Sequence, residues 1–187
     1  MEKTLRQFDE IMAGCKHILM AKQRDYGSSW RIMRPSSLTD QLYIKAKRIR
    51  EIEEKGRQLV DDPVEGEYMG LVNYSLLALI QLSMPPDAPL ELPDAEVETR
   101  YDAAVAQTRE LLNRKNHDYG EVWREMRVSS MTDLILAKLL RIKQIEDNNG
   151  RTLLSEGVEG NYFDIINYAI FALIKLHEAK AEKRDKA

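Results

Sequence analysis

The chain repeats itself. Residues 22–40, KQRDYGSSWRIMRPSSLTD, align without a gap on residues 115–133, KNHDYGEVWREMRVSSMTD, so that Asp25 falls on Asp118 at an offset of 93 residues. The register carries Lys45 onto Lys138, Arg48 onto Arg141 and Ile52 onto Ile145. One extra residue then moves the offset to 94, and VEGEYMGLVNYSLLALIQL lies on VEGNYFDIINYAIFALIKL. Self-similarity over this length restricts the chain to an architecture built twice. A unit of half the chain buries too little surface to be stable alone, so the two halves are expected to share one core about a pseudo-twofold axis.

Each copy reads as three helices. The first, at about 3–22 and 96–115, carries Phe8, Ile11, Met12, Cys15, Ile18 and Leu19 at helical spacing, with Tyr101 in the place of Phe8. The glycine of Asp-Tyr-Gly breaks it. A loop then leads to Ser36-Ser37 and Ser129-Ser130, candidate N-caps for second helices at about 38–56 and 131–149 that Gly56 and Gly150 stop. The third helices, about 66–83 and 160–180, are apolar around most of their circumference and belong at the centre. Alternating strand-like runs are absent. The expected fold is all-α, a six-helix bundle of two tandem three-helix repeats, residues 1–83 and 95–187. Between them MPPDAPLELPDA holds four of the six prolines and reads as an extended linker over 84–94.

Composition narrows the partners. With 28 Lys+Arg against 31 Asp+Glu the net charge is −3, which gives no global field for a phosphate backbone, so nucleic acid is not the expected main partner. The single cysteine, Cys15, excludes an intramolecular disulfide framework and fits a reducing cytoplasm. No signal-like N-terminus or membrane-length apolar run is present, so a cytoplasmic protein, monomeric or homodimeric, is expected. His17, His117 and His177 stand at non-equivalent positions and support neither a metal site nor a triad.

The polar residues aimed inward are the informative ones. At 100° per residue Lys45 projects within the stripe of Leu38, Leu42, Ile49 and Ile52, and Lys138 among Met131, Ile135, Ile142 and Ile145. A lysine so placed must snorkel, pair with a carboxylate or meet an anionic ligand. Arg48 and Arg141, one turn on, border the same stripe. Asn73 and Asn167 point into the apolar arc of the third helices and need partners. The Asp-Tyr-Gly segments add Asp25, Tyr26 and Trp30, matched by Asp118, Tyr119 and Trp123, and then Arg34 and Arg127. These residues either form a packed turn or line a pocket. In a pocket, the aromatics offer faces to a base, the arginines and serines face phosphate at a helix N-terminus, and Asp25 accepts from an amine or hydroxyl. Asp40 and Asp133 are expected to complement the dipole of the second helices.

The pattern K-x-x-D-Y-G, then Trp, then a helix with K-x-x-R, then a helix with N-Y, resembles the nucleotide modification associated domain 1 family in its tandem form. The matched residues are Lys22, Asp25, Tyr26, Gly27, Lys45, Arg48, Asn73 and Tyr74, and Lys115, Asp118, Tyr119, Gly120, Lys138, Arg141, Asp164, Asn167 and Tyr168. The resemblance implies a nucleotide-related function, with a small anionic ligand such as a nucleotide as partner.

All-α nucleoside triphosphate pyrophosphohydrolases hold Mg²⁺ between E-x-x-E and E-x-x-D helices, and this chain departs from that pattern. Glu51 and Glu54 face Gln144 and Asp147 in the other copy, while Glu67 faces Asn161 and Gly70 faces Asp164. Mg²⁺ is thus a candidate cofactor only at a composite site of Glu67 and Asp164. The other expectation for Asp164, which shares a polar face with Tyr168 and Lys175, is plain solvent exposure. Two function classes stay open: a protein that binds nucleoside phosphates or acts in their modification, and a non-catalytic helical scaffold in which the lysines are structural.

Overall fold

The computed structural model describes residues 2–56, 63–154 and 157–186; among these residues there are six α-helices and no strand. They are α1 (Glu2–Tyr26), α2 (Pro35–Lys55), α3 (Val64–Ser83), α4 (Asp94–Tyr119), α5 (Val128–Asp147) and α6 (Val158–Asp185). Short 3₁₀ turns at Ser29–Ile32 and Val122–Glu125 follow α1 and α4, so the order of elements is the same in each repeat. The all-α bundle of two three-helix repeats is what the periodicity predicts.

The third helix of each repeat is central. α3 and α6 pack on each other, α2 and α5 pack on them and on one another, and α1 lies on α4. Leu71, Val72 and Leu76 of α3 meet Ile165, Ile166 and Ile170 of α6 in a core where all six are fully buried. Burial of this kind, at about 25 cal/mol per Å² of apolar surface, is the main stabilising term. Cys15 lies in the same core, and burial pushes its thiol up to about 12, which makes it inert at neutral pH.

Helix boundaries differ from the sequence expectation in two places. α1 and α4 run on through Asp25-Tyr26 and Asp118-Tyr119, because only the following glycine takes positive φ, +65° at Gly27 and +67° at Gly120. The second helices start before the serines. Arg34 and Arg127 are the extended N-cap residues, Pro35 holds the first position of α2, and neither cap makes a side-chain hydrogen bond. Ser36, Ser37, Ser129 and Ser130 therefore lie inside first turns rather than capping them.

The repeats are interlocked by a pair of symmetric contacts. Thr39 Oγ1 sits 2.8 Å from the Tyr162 hydroxyl and donates to Glu146 at 2.7 Å. In the mirror arrangement Thr132 Oγ1 sits 2.7 Å from the Tyr68 hydroxyl and donates to Glu53 at 2.9 Å. Burial raises both glutamates above the usual carboxylate range and pushes Tyr162 up to about 12. Asp40 and Asp133, expected to serve their own helix dipoles, instead reach Lys143 (2.8 Å) and Arg50 (3.3 Å) of the opposite repeat.

The linker is held down on the first repeat. Arg31, itself buried, donates to the carbonyls of Ala88 (3.2 Å) and Pro89 (3.2 and 3.3 Å), Gln23 Nε2 donates to Leu92 O at 3.3 Å, and Glu91 accepts from the Ser28 N–H at 3.2 Å. At the equivalent turn of the second repeat, among the described residues, Arg124 instead reaches Thr4, Gln7 and Glu178, which belong to helices rather than to a linker.

Candidate functional site

Each repeat contains a pocket where the end of its first helix, the 3₁₀ turn and its third helix meet. The first has a volume of about 420 Å³ and the second about 350 Å³. Lys22, Tyr26, Trp30, Asn73 and Tyr74 line the first, and their counterparts Lys115, Tyr119, Trp123, Asn167 and Tyr168 line the second. The equivalence follows from the fold: the same helix ends converge twice. Lysine at the mouth, aromatics on the wall and a buried amide at the base recur in both.

The cations are organised around one carboxylate per repeat. In the first, Glu67 accepts from Lys45 Nζ at 3.3 Å and from Arg48 Nη1. Lys45 also lies 5.7 Å over the Tyr74 ring and crosses Gly70, where a Cβ would come within 2.8 Å of its Cδ. In the second repeat Asp164, at the position of Gly70, accepts from Lys115 at 2.5 Å and Lys138 at 2.6 Å. Burial pulls the Asp164 carboxyl upward, but the hydrogen bonds from the two lysines win and hold it below the usual range. Its side chain is only 14% exposed, which corrects the expectation of a solvated surface aspartate. Two cations face one carboxylate in each cluster, so each keeps net positive charge beside its pocket.

Glu67 and Asp164 are thus engaged by cations of their own repeats rather than by each other. Among the described residues no group of three His, Cys, Asp or Glu side chains is arranged to hold a metal ion. The composite Mg²⁺ arrangement finds no support in this geometry, since a carboxylate bridging two lysines presents ammonium groups where a cation would need oxygen.

The remaining candidates divide. Asn73 and Asn167 are buried at 7% and 4% exposure, as their helix positions predict. Asn73 Nδ2 donates to Cys15 O and its Oδ1 accepts from the Tyr101 hydroxyl, both at 2.9 Å. Tyr26 and Tyr119 are more than half exposed and line the two pockets. Trp123 is not an open stacking platform: Phe171 stacks on its indole at 4.3 Å and the Arg124 guanidinium lies over it at 4.4 Å. Asp25, Asp118, Arg34, Arg127 and Arg141 are exposed and do not line the pockets, and Asp118 meets His117 at 3.1 Å. Asp25 and Asp118 lie in the last turns of first helices that extend a turn further than the sequence suggests, Arg34 and Arg127 are N-cap residues, and Arg141 lies on the exposed face of α5.

Several participants escaped the sequence reading. Asn116, buried in the second pocket, was hidden by its replacement with Gln23 in the first repeat. The Thr39–Tyr162–Glu146 interlock was signalled only by identity in both copies, with Thr39 on Thr132, Glu53 on Glu146 and Tyr68 on Tyr162.

Among the described residues no helix is long and apolar enough to cross a membrane. No curated protein and no solved structure matches the chain. The family model described as nucleotide modification associated domain 1 matches residues 22–82 and again 115–176, so each match contains most of the lining of one pocket and one carboxylate cluster. With two matched segments that together cover most of its length, the chain belongs to the nucleotide modification associated domain 1 family.

Proposed function

We propose that the protein binds nucleotides, with the ring in the pocket and the phosphate against the lysine pair at its mouth. The observation that carries this reading is the recurrence of Lys22 and Lys45, and of Lys115 and Lys138, beside an aromatic-walled cavity in both repeats. Each cluster keeps one cation in excess of its carboxylate, and phosphate is bound by such lysines as point charges. The cavities lie in the size range of small-ligand sites, roughly 300–1,000 Å³. The family name points in the same direction.

A second reading, a non-catalytic scaffold, draws on the pairing of Lys45 with Glu67 and of Lys138 with Asp164, which satisfies both lysines without a ligand. Thermal-shift measurements with nucleoside mono-, di- and triphosphates, with and without Mg²⁺, separate the two, since a ligand of the folded state must raise the melting temperature. A shift that Lys115→Met and Lys138→Met reduce supports the nucleotide reading. A flat response to every nucleotide, or a shift untouched by both substitutions, overturns it in favour of the scaffold.

A further inference from the structure

The two pockets are built alike but are not chemically equivalent. At the base of the first, Asn73 has both its amide groups engaged, by Cys15 O and the Tyr101 hydroxyl. Tyr101 comes from the other repeat, and its counterpart is Phe8, which has no hydroxyl. The consequence appears at Asn167: neither its Nδ2 nor its Oδ1 has a partner, although the residue is only 4% exposed. A second asymmetry has the same effect. Gln23 is satisfied by Ser28 Oγ (3.1 Å) and by Leu92 of the linker, whereas its counterpart Asn116, 6% exposed, leaves Nδ2 unpaired. Trp123, 5% exposed, likewise leaves Nε1–H without an acceptor.

All three residues border the same pocket. A buried polar group left unpaired costs about 1–3 kcal/mol, and native structures leave few of them. Four such atoms on three residues that line one cavity, while the equivalent cavity has its amides satisfied internally, mark a place where the missing partners come from a ligand. Their chemistry is specific: three donors (Asn116 Nδ2, Trp123 Nε1, Asn167 Nδ2) and one acceptor (Asn167 Oδ1). The complementary ligand edge is rich in acceptors and carries one N–H.

We infer that the second-repeat pocket is the base-reading site and that it takes a planar ring with an imide edge, two carbonyl acceptors flanking one N–H, as in a uracil-type pyrimidine. This rests on the nucleotide reading above and deepens it. Phe171 and Arg124 pack over the indole, so the ring meets Trp123 at its Nε1–H edge, and Lys115 at the mouth faces the phosphate. A cytosine-type ring presents an amino group where the pocket offers a donor, and an N-methylated imide loses the one proton that Asn167 Oδ1 accepts. In the first pocket the corresponding amides of Asn73 and Gln23 are already engaged within the protein.

Isothermal titration of the full chain with uridine, cytidine and N3-methyluridine 5′-monophosphates tests this. The expected result is one uridine monophosphate per chain bound at least about tenfold more tightly than the other two. Trp123→Phe, which keeps the stacked ring and removes the N–H, should weaken uridine monophosphate by roughly tenfold. Phe8→Tyr, which supplies the hydroxyl that Tyr101 gives Asn73, should weaken it while raising the melting temperature. Should one of these variants fail to fold, the comparison of the three nucleotides on the unaltered chain still decides. Equal affinity for the three, or affinity unmoved by both substitutions, overturns the imide assignment while leaving nucleotide binding intact. No binding of any nucleotide, including purine nucleotides run alongside, overturns the nucleotide reading itself and this inference with it.

Discussion

The hydroxyls of Thr39 and Tyr162 lie 2.8 Å apart across the boundary between the repeats, and Glu146 accepts from the same threonine at 2.7 Å. All three stand at positions identical in the two copies, since Thr132, Tyr68 and Glu53 make the mirror contact. Truncating Thr39 to valine keeps the shape and removes the hydroxyl that both neighbours use. Thr39→Val should lower unfolding free energy by about 1–3 kcal/mol, and Thr132→Val by a similar amount. Urea denaturation checks both, and a loss confined to one of the two would show that the interlocks are unequal.

Glu146 and Asp164 give opposite pH dependences. Burial raises the folded-state pKa of Glu146, so its contribution to stability is fully present below the ordinary glutamate value of about 4.3 and is lost as pH rises through the folded value. Glu146→Gln should therefore gain stability relative to the parent as pH goes from about 4 to 7. Asp164 is held low by its lysines, so its contribution is present above the ordinary aspartate value of about 3.9 and is lost as pH falls through the depressed one. Asp164→Asn should be less stable than the parent near neutrality, and the gap should close in acid. Chemical denaturation at several pH values reads both; pH-independent differences would contradict the assignment.

Removing the Asp164 carboxylate also frees two ammonium groups at the second pocket. Asp164→Asn should lower stability by about 1–2 kcal/mol at low ionic strength, the group being partly exposed. On the proposed function it should also tighten the binding of nucleoside phosphates, an effect that added salt diminishes. Weaker nucleotide binding in this variant would argue that Asp164 positions the lysines rather than competing for them.

Gly27 and Gly120 both take positive φ, but only Gly27 is covered. A Cβ at Gly27 would lie 2.5 Å from Glu91 Oε1, whereas nothing lies within 4 Å of one at Gly120. Alanine at either position strains the backbone by roughly 1–3 kcal/mol. Gly27→Ala should in addition dislodge Glu91 and loosen the strap, so limited proteolysis should cut near residues 85–92 faster in this variant. In Gly120→Ala that cleavage should stay at the parental rate.

Helix number, order and the central placement of α3 and α6 were legible in the sequence because the 3.6-residue periodicity is a local property. The inward direction of Lys45, Lys138, Asn73 and Asn167 was legible for the same reason. Helix starts and stops were less so: the serines looked like caps, but Pro35 and the extended residue before it begin the helix earlier. That shift, together with the longer α1 and α4, moved Asp25, Arg34 and their counterparts away from the pockets.

By itself the sequence determined that this is a duplicated all-α protein whose two halves carry the same inward lysines and asparagines. Only the tertiary structure decided what those groups meet. Partners such as Tyr101 for Asn73, Leu92 for Gln23 and Lys115 for Asp164 come from other helices or from the linker, so their distances depend on packing rather than on spacing along the chain. Two copies nearly identical in pattern thereby acquired different chemistry: one hydroxyl present in Tyr101 and absent from Phe8, and one strap laid over a single repeat, leave the second pocket with unpaired polar groups and the first with its amides satisfied.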